Sequence, residues 1–445
     1  MRPPDSTCRV RRLWRALWPL ALAAVLPLLT PPEAWAQYYR RVPRQYDALF
    51  APRRVVDRGQ QLDLTGQILV GYDNNSTPDP EAASDLYDDT LLGGGSLVLN
   101  YDANGRKAHF RLSLDGTTRY FDNIDYVATT YRAGASLRYD FSRRNSITID
   151  ELVTQSPFYF FQLYSPLFIH EFGQVPDVNP DLNLDRRDYF DALTHLTFDH
   201  RLSNTSSAYV EGAARLGDVG SGGTRRVSEY AVGGGYRRSV SRYATLRLGY
   251  RYVDQDARTT RHDIDVGVDY ARNLSVSRRT QVFFSTGTTI LRSRSTDPLP
   301  GEVSPSNFRL LLQAGLIHQF GRSWTGVTAY SRGVSLINGY SYPFNYDSFD
   351  LDINGYLNRR VEFTARTGLT FGSRVLTQSE DYRVIFGSVG FTVGLSRNVA
   401  LAADYLAFRY DFEPRTIFDP ATLERLDRLA SRVYMTFWLP IAGRR

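Results

Sequence analysis

The alternation that decides the fold is plainest in residues 110–119, which read FRLSLDGTTR. Apolar or small residues occupy the even positions of this segment, and polar residues, Arg111 and Arg119 among them, occupy the odd positions. A period of two is that of a β-strand whose two faces meet different surroundings. The segment is therefore predicted to form a strand with one apolar face and one polar face.

The same alternation recurs along the chain, for example in residues 131–140, 245–252 and 348–353. The alternating segments are about 11 to 14 residues long, whereas strands of soluble proteins usually have about 5 to 6 residues. About 9 to 11 residues are enough for a tilted strand to cross a bilayer. The length of these segments therefore favours strands that span a membrane.

The connections between the segments alternate between long and short. A 16-residue connection covers 74–89, the turn 102–105 reads DANG, a longer connection lies near 122–126, and the next turn is 142–145. Long extracellular loops and short periplasmic turns are typical of outer-membrane barrels.

We therefore predict an all-β fold, a closed antiparallel transmembrane β-barrel of about 18 strands (16 to 18) with short periplasmic turns and long extracellular loops. The segments 146–156 and 383–395 alternate poorly, so the predicted number of strands is given as a range of 16 to 18. The predicted strands lie near 62–73, 90–101, 106–120, 127–141, 146–156, 189–201, 206–217, 227–240, 243–256, 262–273, 280–293, 307–320, 323–336, 347–358, 361–373, 383–395, 400–413 and 429–441.

The first residues have the pattern of a secretory signal peptide. A positive segment with Arg9, Arg11, Arg12 and Arg15 precedes an apolar run at 17–29, and Ala34-Trp35-Ala36 fits a cleavage site. A retained membrane anchor is the alternative, which the prolines in and after the apolar run disfavour. We predict a cleavable signal peptide at 1–36, a periplasmic N-terminal extension at 37–61 and an outer-membrane barrel at 62–445.

Composition excludes several other classes of protein. The only cysteine is Cys8, so neither a disulfide framework nor a cysteine-built metal site is expected. A net charge of +6 over 445 residues is too small to predict nucleic-acid binding. No second apolar run of about 20 residues follows the first segment, so no spanning helix is expected. The expected location is the outer membrane of a Gram-negative bacterium.

A weak repeat occurs in the short turns, where a small or polar residue precedes arginine. Examples are 141–144 (FSRR), 240–243 (VSRY), 276–279 (VSRR), 320–323 (FGRS), 358–360 (NRR) and 395–398 (LSRN). Small residues ease a tight turn, and arginine is a planar donor fork that can reach phosphates of the inner leaflet. Simple solubility of an exposed turn is the alternative interpretation.

These features resemble a known family. The first strand ends in 71–75 (GYDNN), Thr77-Pro78 follows, and the Ser-Arg turns repeat, as in outer-membrane β-barrel porins of the beta-barrel porin 2 type. The resemblance covers roughly Leu62 to the C-terminus. It implies a barrel of the kind often encoded beside exopolysaccharide synthesis and export genes. The chain departs from the pattern at its end, where it continues past Phe437 and Trp438 to Arg445.

The sequence gives little support to an enzyme. None of the six histidines has HExxH spacing, and no GxSxG motif is present. His195 shares a strand face with Asp191 and Asp199, an arrangement that could orient a general base. The alternative is that these three residues belong to a polar lumen. We predict no enzymatic activity, no metal and no cofactor.

Inward-facing charges are expected to set the properties of the pore. A barrel of 16 to 18 strands leaves an aqueous channel, and the residues that line it determine selectivity. Acidic residues are expected to form ion pairs with arginines of neighbouring strands, such as Arg366. A lumen of both signs suits neutral or weakly charged polar solutes. The predicted pore-lining residues are Arg111, Arg119, Arg132, Arg138, Arg247, Arg251, Asp263, Asp265, Asp269, Asp350 and Asp352.

The connection 156–188 is too rich in aromatic residues for a solvated external loop. It could fold inward, narrow the pore and stack on sugar rings, or fold outward against partners, other loops or lipid. A third interpretation extends the strand into an aromatic girdle. The residues predicted to form a constriction or to stack on sugars are Phe158, Tyr159, Phe161, Tyr164 and Phe168.

The leading predicted function is passage of a polar solute or chain through the outer membrane, and the family resemblance suggests exopolysaccharide export. One alternative is a general or sugar-uptake diffusion porin. Another is a structural or anchoring barrel with a closed lumen. Expected partners are outer-membrane lipid and lipopolysaccharide, the barrel-assembly machinery and, for export, a polysaccharide chain and periplasmic export components. Nucleic acid is not expected to bind.

One expectation concerns the two faces of neighbouring strands. Leu248 and Val266 are predicted to face lipid, where arginine should be costly. Gly249 and Gly267 are predicted to face the lumen, where arginine should be better tolerated.

Overall fold

The computed structural model describes residues 59–73, 90–122, 125–156, 189–219, 225–255, 259–274, 279–293, 306–320, 323–336, 343–374, 381–396, 398–412 and 427–444. Within these ranges the chain forms eighteen strands. The strands are β1 (Gly59–Asp73), β2 (Thr90–Asn104), β3 (Ala108–Phe121), β4 (Tyr126–Asp140), β5 (Asn145–Ser156), β6 (Tyr189–Arg201), β7 (Ser206–Val219), β8 (Arg225–Ser239), β9 (Ala244–Gln255), β10 (Thr259–Asn273), β11 (Thr280–Ser293), β12 (Ser306–Phe320), β13 (Trp324–Leu336), β14 (Pro343–Tyr356), β15 (Val361–Arg374), β16 (Asp381–Gly394), β17 (Val399–Phe412) and β18 (Asp427–Arg444).

The strands form one closed sheet. Each strand pairs antiparallel with the strands before and after it, and β1 also pairs with β18, from Gln60 opposite Arg444 to Asp73 opposite Ala430. Closure leaves no unpaired edge, which is how a β-structure satisfies its backbone groups inside a bilayer. The predicted all-β barrel and its count of eighteen strands are confirmed. No helix in the described part of the chain is long and apolar enough to cross a membrane.

The outer face of the barrel is apolar. Leu248 and Val266 are 58% and 60% exposed, as predicted for residues that face lipid. Large apolar side chains are exposed at alternate positions of many other strands, as a lipid-facing surface requires. Examples are Ile68, Val70, Leu97, Leu114, Tyr131, Leu137, Ile149, Leu196, Phe198, Val210, Leu216, Val232, Leu246, Phe308, Leu310, Phe349, Leu351, Val389, Phe391 and Leu401.

Aromatic rings border this face near the end of the barrel where the eight short turns lie, the periplasmic end. The rings of Tyr139 and Phe141 have centroids 5.0 Å apart, and those of Trp324 and Phe363 are 5.6 Å apart. The Trp324 Nε1–H donates a hydrogen bond to the Tyr356 carbonyl oxygen at 3.1 Å. Aromatic girdles of this kind mark the membrane interface of barrels.

The small or polar residue repeated in the short turns stabilises the turn by bonding its backbone. The Ser142 Oγ accepts hydrogen bonds from the backbone N–H groups of Arg144 and Asn145, both at 3.1 Å. Ser241 and Asn358 accept corresponding bonds in their own turns. A serine or asparagine that bonds the backbone two residues on is a standard way to stabilise a turn. The repeat therefore reflects turn formation as well as charge.

Gly249 and Gly267 both face inward, as predicted, but the expected room for a side chain is absent at Gly267 and narrow at Gly249. A side chain at Gly267 would overlap the carbonyl oxygen of Thr286 on β11. At Gly249 a Cβ atom would lie 3.0 Å from the Tyr209 hydroxyl oxygen. Alternation predicts which face a residue occupies, but it does not show that packing on that face already fills the space above a glycine.

Candidate functional site: the inner wall of the barrel

The strand register places all eleven predicted pore-lining residues on the inner face. On β9, for example, Leu246, Leu248 and Tyr250 are exposed on the outer face, so Arg247 and Arg251 point to the interior. Arg247 lies opposite Gly267 on the next strand, in agreement with that assignment. The wall is therefore lined by charges of both signs. That these residues line a conducting pore is a prediction, taken up below.

Several interior arginines form ion pairs with neighbouring strands. Arg215 donates two hydrogen bonds to Asp191, at 2.8 and 3.2 Å. The Arg366 Nε lies 2.7 Å from Asp352 Oδ2, and Arg132 pairs with Asp115. Bonds from a guanidinium to a carboxylate are stronger than neutral ones and hold both side chains in place.

Arg247 connects three strands. Its Nε lies 2.9 Å from Asp269 and its Nη1 lies 3.3 Å from Asp265, both on β10. Its Nη2 donates to the Thr286 carbonyl oxygen at 2.7 Å and to Ser285 Oγ at 3.0 Å, both on β11. The β10–β11 register shifts between Ile264 and Asp269. Such an irregularity leaves backbone groups outside the ladder, and Arg247 supplies a donor to one of them.

Replacement of Arg247 by glutamine is expected to lower the free energy of unfolding by about 2 kcal/mol, because a charged donor to carboxylates and to a carbonyl is lost. The measurement is a urea titration of the barrel folded in phospholipid vesicles. Arg251→Gln is the matched control and should cost less, because the one ion pair of Arg251 within the described residues is with Glu211, at 3.8 Å. Equal losses for the two variants would contradict the role given to Arg247.

Glycines let side chains reach across an intervening strand. Arg247 crosses Gly267 on its way to β11, and Arg251 on β9 crosses Gly233 of β8 to reach Glu211 on β7. Because glycine has no side chain, it permits a close approach of this kind. Ion pairs of this wall therefore join strands that are not hydrogen-bonded neighbours.

Interior aromatic rings lie along the wall. The Tyr209 ring covers Gly235, where a Cβ atom would lie 2.8 Å from the hydroxyl oxygen. The guanidinium of Arg237 lies 4.1 Å from the centroid of that ring, a cation–π contact. Phe386 covers Gly368 in the same manner on β15 and β16. At both positions the ring occupies the space that a side chain in place of the glycine would fill.

The structure does not bring together the three residues singled out around His195. Its Nδ1 lies 3.8 Å from Asp150 on β5, and its Nε2 lies 3.6 Å from Glu211 on β7. Asp191 instead bonds Arg215. Residues four apart on one strand are separated by about 13 Å, whereas direct cross-strand neighbours are about 5 Å apart. The three residues share the inner face, as predicted, but they do not form an Asp-His-Asp group, and His195 lies beside carboxylates of the neighbouring strands instead. This arrangement agrees with the alternative, a polar lumen.

The ion pairs are unevenly distributed around the wall. Asp350 on β14 is 3% exposed and accepts a hydrogen bond from Ser348 Oγ at 2.7 Å. Within the described ranges it has no arginine, lysine or histidine within ion-pair distance. Asp263 on β10, by contrast, pairs with Arg261 at 3.1 Å. Within the described ranges the expected cross-strand pairs thus form with Asp352, Asp265 and Asp269, but not with Asp350, nor with Asp263, whose partner Arg261 lies on the same strand.

The predicted constriction residues Phe158, Tyr159, Phe161, Tyr164 and Phe168 lie outside the described residues. The predicted signal peptide and most of the predicted N-terminal extension lie outside them too, and β1 begins at Gly59. Among the described residues, no group of three or more His, Cys, Asp or Glu side chains could hold a metal ion.

A closed barrel of eighteen strands, apolar outside and charged inside, has the architecture of an outer-membrane β-barrel. The protein therefore belongs in the bacterial outer membrane. Membership of the beta-barrel porin 2 type stays a prediction.

Comparison with known proteins adds a likeness of fold. No family model matches the chain, and no curated protein matches it. The crystal structure of Pseudomonas aeruginosa OccK2 (OpdF) in complex with glucuronate matches with a TM-score of 0.47 and 10% identity over 86% of this chain and 98% of that chain. OpdK of the same organism with vanillate matches at 0.45 and 9%, over 86% and 98%. OpdQ matches at 0.46 and 10%, over the same shares.

Proposed function

We propose that the protein is a channel through which polar, mainly uncharged solutes cross the outer membrane. The pairing of charges on the inner wall carries this proposal. Arg132, Arg215, Arg247 and Arg366 each have a carboxylate partner. A wall of paired charges offers many hydrogen-bonding groups with little net potential, and it therefore favours hydroxylated solutes over ions of one sign.

The finer proposal is that the solute is a polysaccharide chain on its way out of the cell. It is supported by the resemblance to porins encoded beside exopolysaccharide export genes. Sugar hydroxyls both donate and accept hydrogen bonds, so a sugar chain can exchange bonds with both members of each ion pair. The alternatives are sugar uptake through the same wall and an anchoring barrel with a closed lumen.

Electrical recording in planar bilayers tests the channel. The folded protein should give single-channel steps, and in a salt gradient the reversal potential should lie near zero, because paired charges confer little ion selectivity. Heat-unfolded protein is the control and should give no steps. Folded protein without conductance would contradict the channel and favour the anchor.

Direction requires a second measurement, made in cells that lack the gene. Loss of surface polysaccharide with unchanged sugar uptake would support export. Reduced sugar uptake with unchanged surface polysaccharide would support uptake. That result would contradict polysaccharide export but not the channel itself.

A further inference from the structure

The periplasmic turns share a feature that transport does not require. At seven of the eight turns a large apolar residue lies at or just after the end of the preceding strand, on its outward-facing side. These residues are exposed, for example Phe141 at 52% and Leu357 at 57%. Phe141 lies against Tyr139, which confirms that it faces outward. The seven residues are Phe141, Leu202, Val240, Leu274, Phe320, Leu357 and Leu395. The apolar face of the barrel therefore reaches the edge of the turns.

Arginine follows the apolar residue within two to five positions in six of these seven turns, and the exception is the turn after Leu202. The turn segments 105–107, 141–144, 202–205, 240–243, 274–279, 321–323, 357–360 and 395–398 contain eleven arginine or lysine residues and no aspartate or glutamate. The extracellular connection 74–89, by comparison, contains five acidic residues and no basic residue. The net charge of the whole chain thus does not explain the charge of the turns.

Hydrogen bonds hold the turn backbones that carry the arginines. The Asn358 Oδ1 accepts from the backbone N–H groups of Arg360 at 2.8 Å and Val361 at 3.0 Å. Ser142 holds Arg144 in the same way. Arg143, Arg144, Arg359 and Arg360 are exposed. Each such turn presents a guanidinium two or three residues after a lipid-facing side chain.

We propose that this rim, the three turns 141–144, 240–243 and 357–360, binds the phosphate groups of anionic phospholipids in the inner leaflet of the outer membrane. A guanidinium presents a planar fork that matches a phosphate. Cations next to a membrane surface attract anionic lipids. The adjoining apolar residue favours lipid over an acidic protein or polysaccharide in the periplasm, since only acyl chains lie against the outer face.

Trp324 provides a local reporter for the test. Its bond to the Tyr356 carbonyl places it beside the turn 357–360. Residues 37–445 contain two tryptophans, Trp324 and Trp438, so Trp438→Phe leaves one. This barrel is folded in vesicles that contain either brominated phosphatidylglycerol or brominated phosphatidylcholine with the same acyl chains. Quenching of Trp324 fluorescence by each lipid gives the binding constant of phosphatidylglycerol relative to phosphatidylcholine beside the turn. We expect phosphatidylglycerol to be favoured by at least about fivefold, the effect of one arginine near the surface.

The double variant Arg359→Gln/Arg360→Gln, made in the Trp438→Phe chain, should bring this ratio close to one. Arg383→Gln is the matched control, because Arg383 is an exposed arginine near the other end of the barrel, beside Phe371. It should leave the ratio unchanged. Unshifted mobility of the unheated protein on gels verifies that each variant is folded.

Two outcomes would overturn the proposal. If both lipids quench alike in the Trp438→Phe barrel, the rim serves solubility, an acidic protein or a polysaccharide. If Arg383→Gln lowers the ratio as much as the double variant, the preference reflects total charge alone. Neither outcome affects the proposed channel, which conductance tests separately.

Discussion

Arginine in place of Leu196 is expected to lower the free energy of unfolding by about 2 to 4 kcal/mol, the cost of a cation on the lipid face near the bilayer midplane. Leu196 is near the centre of β6 (Tyr189–Arg201) and is 43% exposed on the outer face. A guanidinium at position 196 would either lose its contact with water or distort the bilayer to keep that contact, and both are costly. A urea titration in phospholipid vesicles measures the loss.

The neighbouring residue supplies the control. Thr197 has the same depth but faces inward, directly opposite Glu211. Arginine at Thr197 gains a carboxylate partner in a polar interior, and we expect its cost to be less than half that at Leu196. Unlike Gly249 and Gly267, Thr197 already has a side chain, so the wall has room for a Cβ atom there. Equal losses at both positions would mean that the assignment of the two faces is wrong.

The strands could be predicted because a membrane barrel imposes one rule on every strand. Lipid outside and water or polar groups inside enforce alternation over the full crossing, and the eighteen predicted segments correspond to the eighteen strands. The ends differ by a few residues. β1 begins at Gly59, because its ladder with β2 and β18 continues into polar residues such as Gln60 and Gln61, where alternation has already stopped. Backbone pairing does not depend on side-chain polarity.

The contacts of the inner wall could be predicted only in part. The sequence indicates which residues face inward, and it anticipated that Arg366 pairs with an acidic residue of a neighbouring strand, which is Asp352. It could not indicate that Arg251 crosses Gly233 to reach Glu211, because that contact depends on the register of three strands. The same holds for His195, whose partners come from β5 and β7. Partners on other strands are determined by register, which alternation leaves open.

Neutralising both carboxylates beside Arg247 is expected to make the channel select for anions. Asp265→Asn/Asp269→Asn keeps the shape and hydrogen-bonding capacity of the side chains but removes two negative charges, so Arg247 contributes an unbalanced positive charge to the wall. Fixed charge in a narrow polar passage concentrates ions of the opposite sign. We expect the ratio of anion to cation permeability to rise about fivefold. The reversal potential in a salt gradient measures this ratio.

A corresponding pair outside the lumen shows whether position is decisive. The Arg332 Nε lies 3.1 Å from Asp347, and register places this pair on the outer face, next to the Tyr330 and Phe349 positions. Asp347→Asn removes the same kind of partner from the same kind of cation, but the change lies outside the passage, so the reversal potential should stay where it is. If Asp347→Asn shifted the reversal potential as much as Asp265→Asn/Asp269→Asn, the position of the lost charge would not matter. That result would contradict the passage of ions along the wall that contains Arg247. An ion that passes Arg247 must respond to the loss of both carboxylates. If Asp265→Asn/Asp269→Asn conducts with an unchanged ratio of anion to cation permeability, the passage therefore lies elsewhere in the lumen.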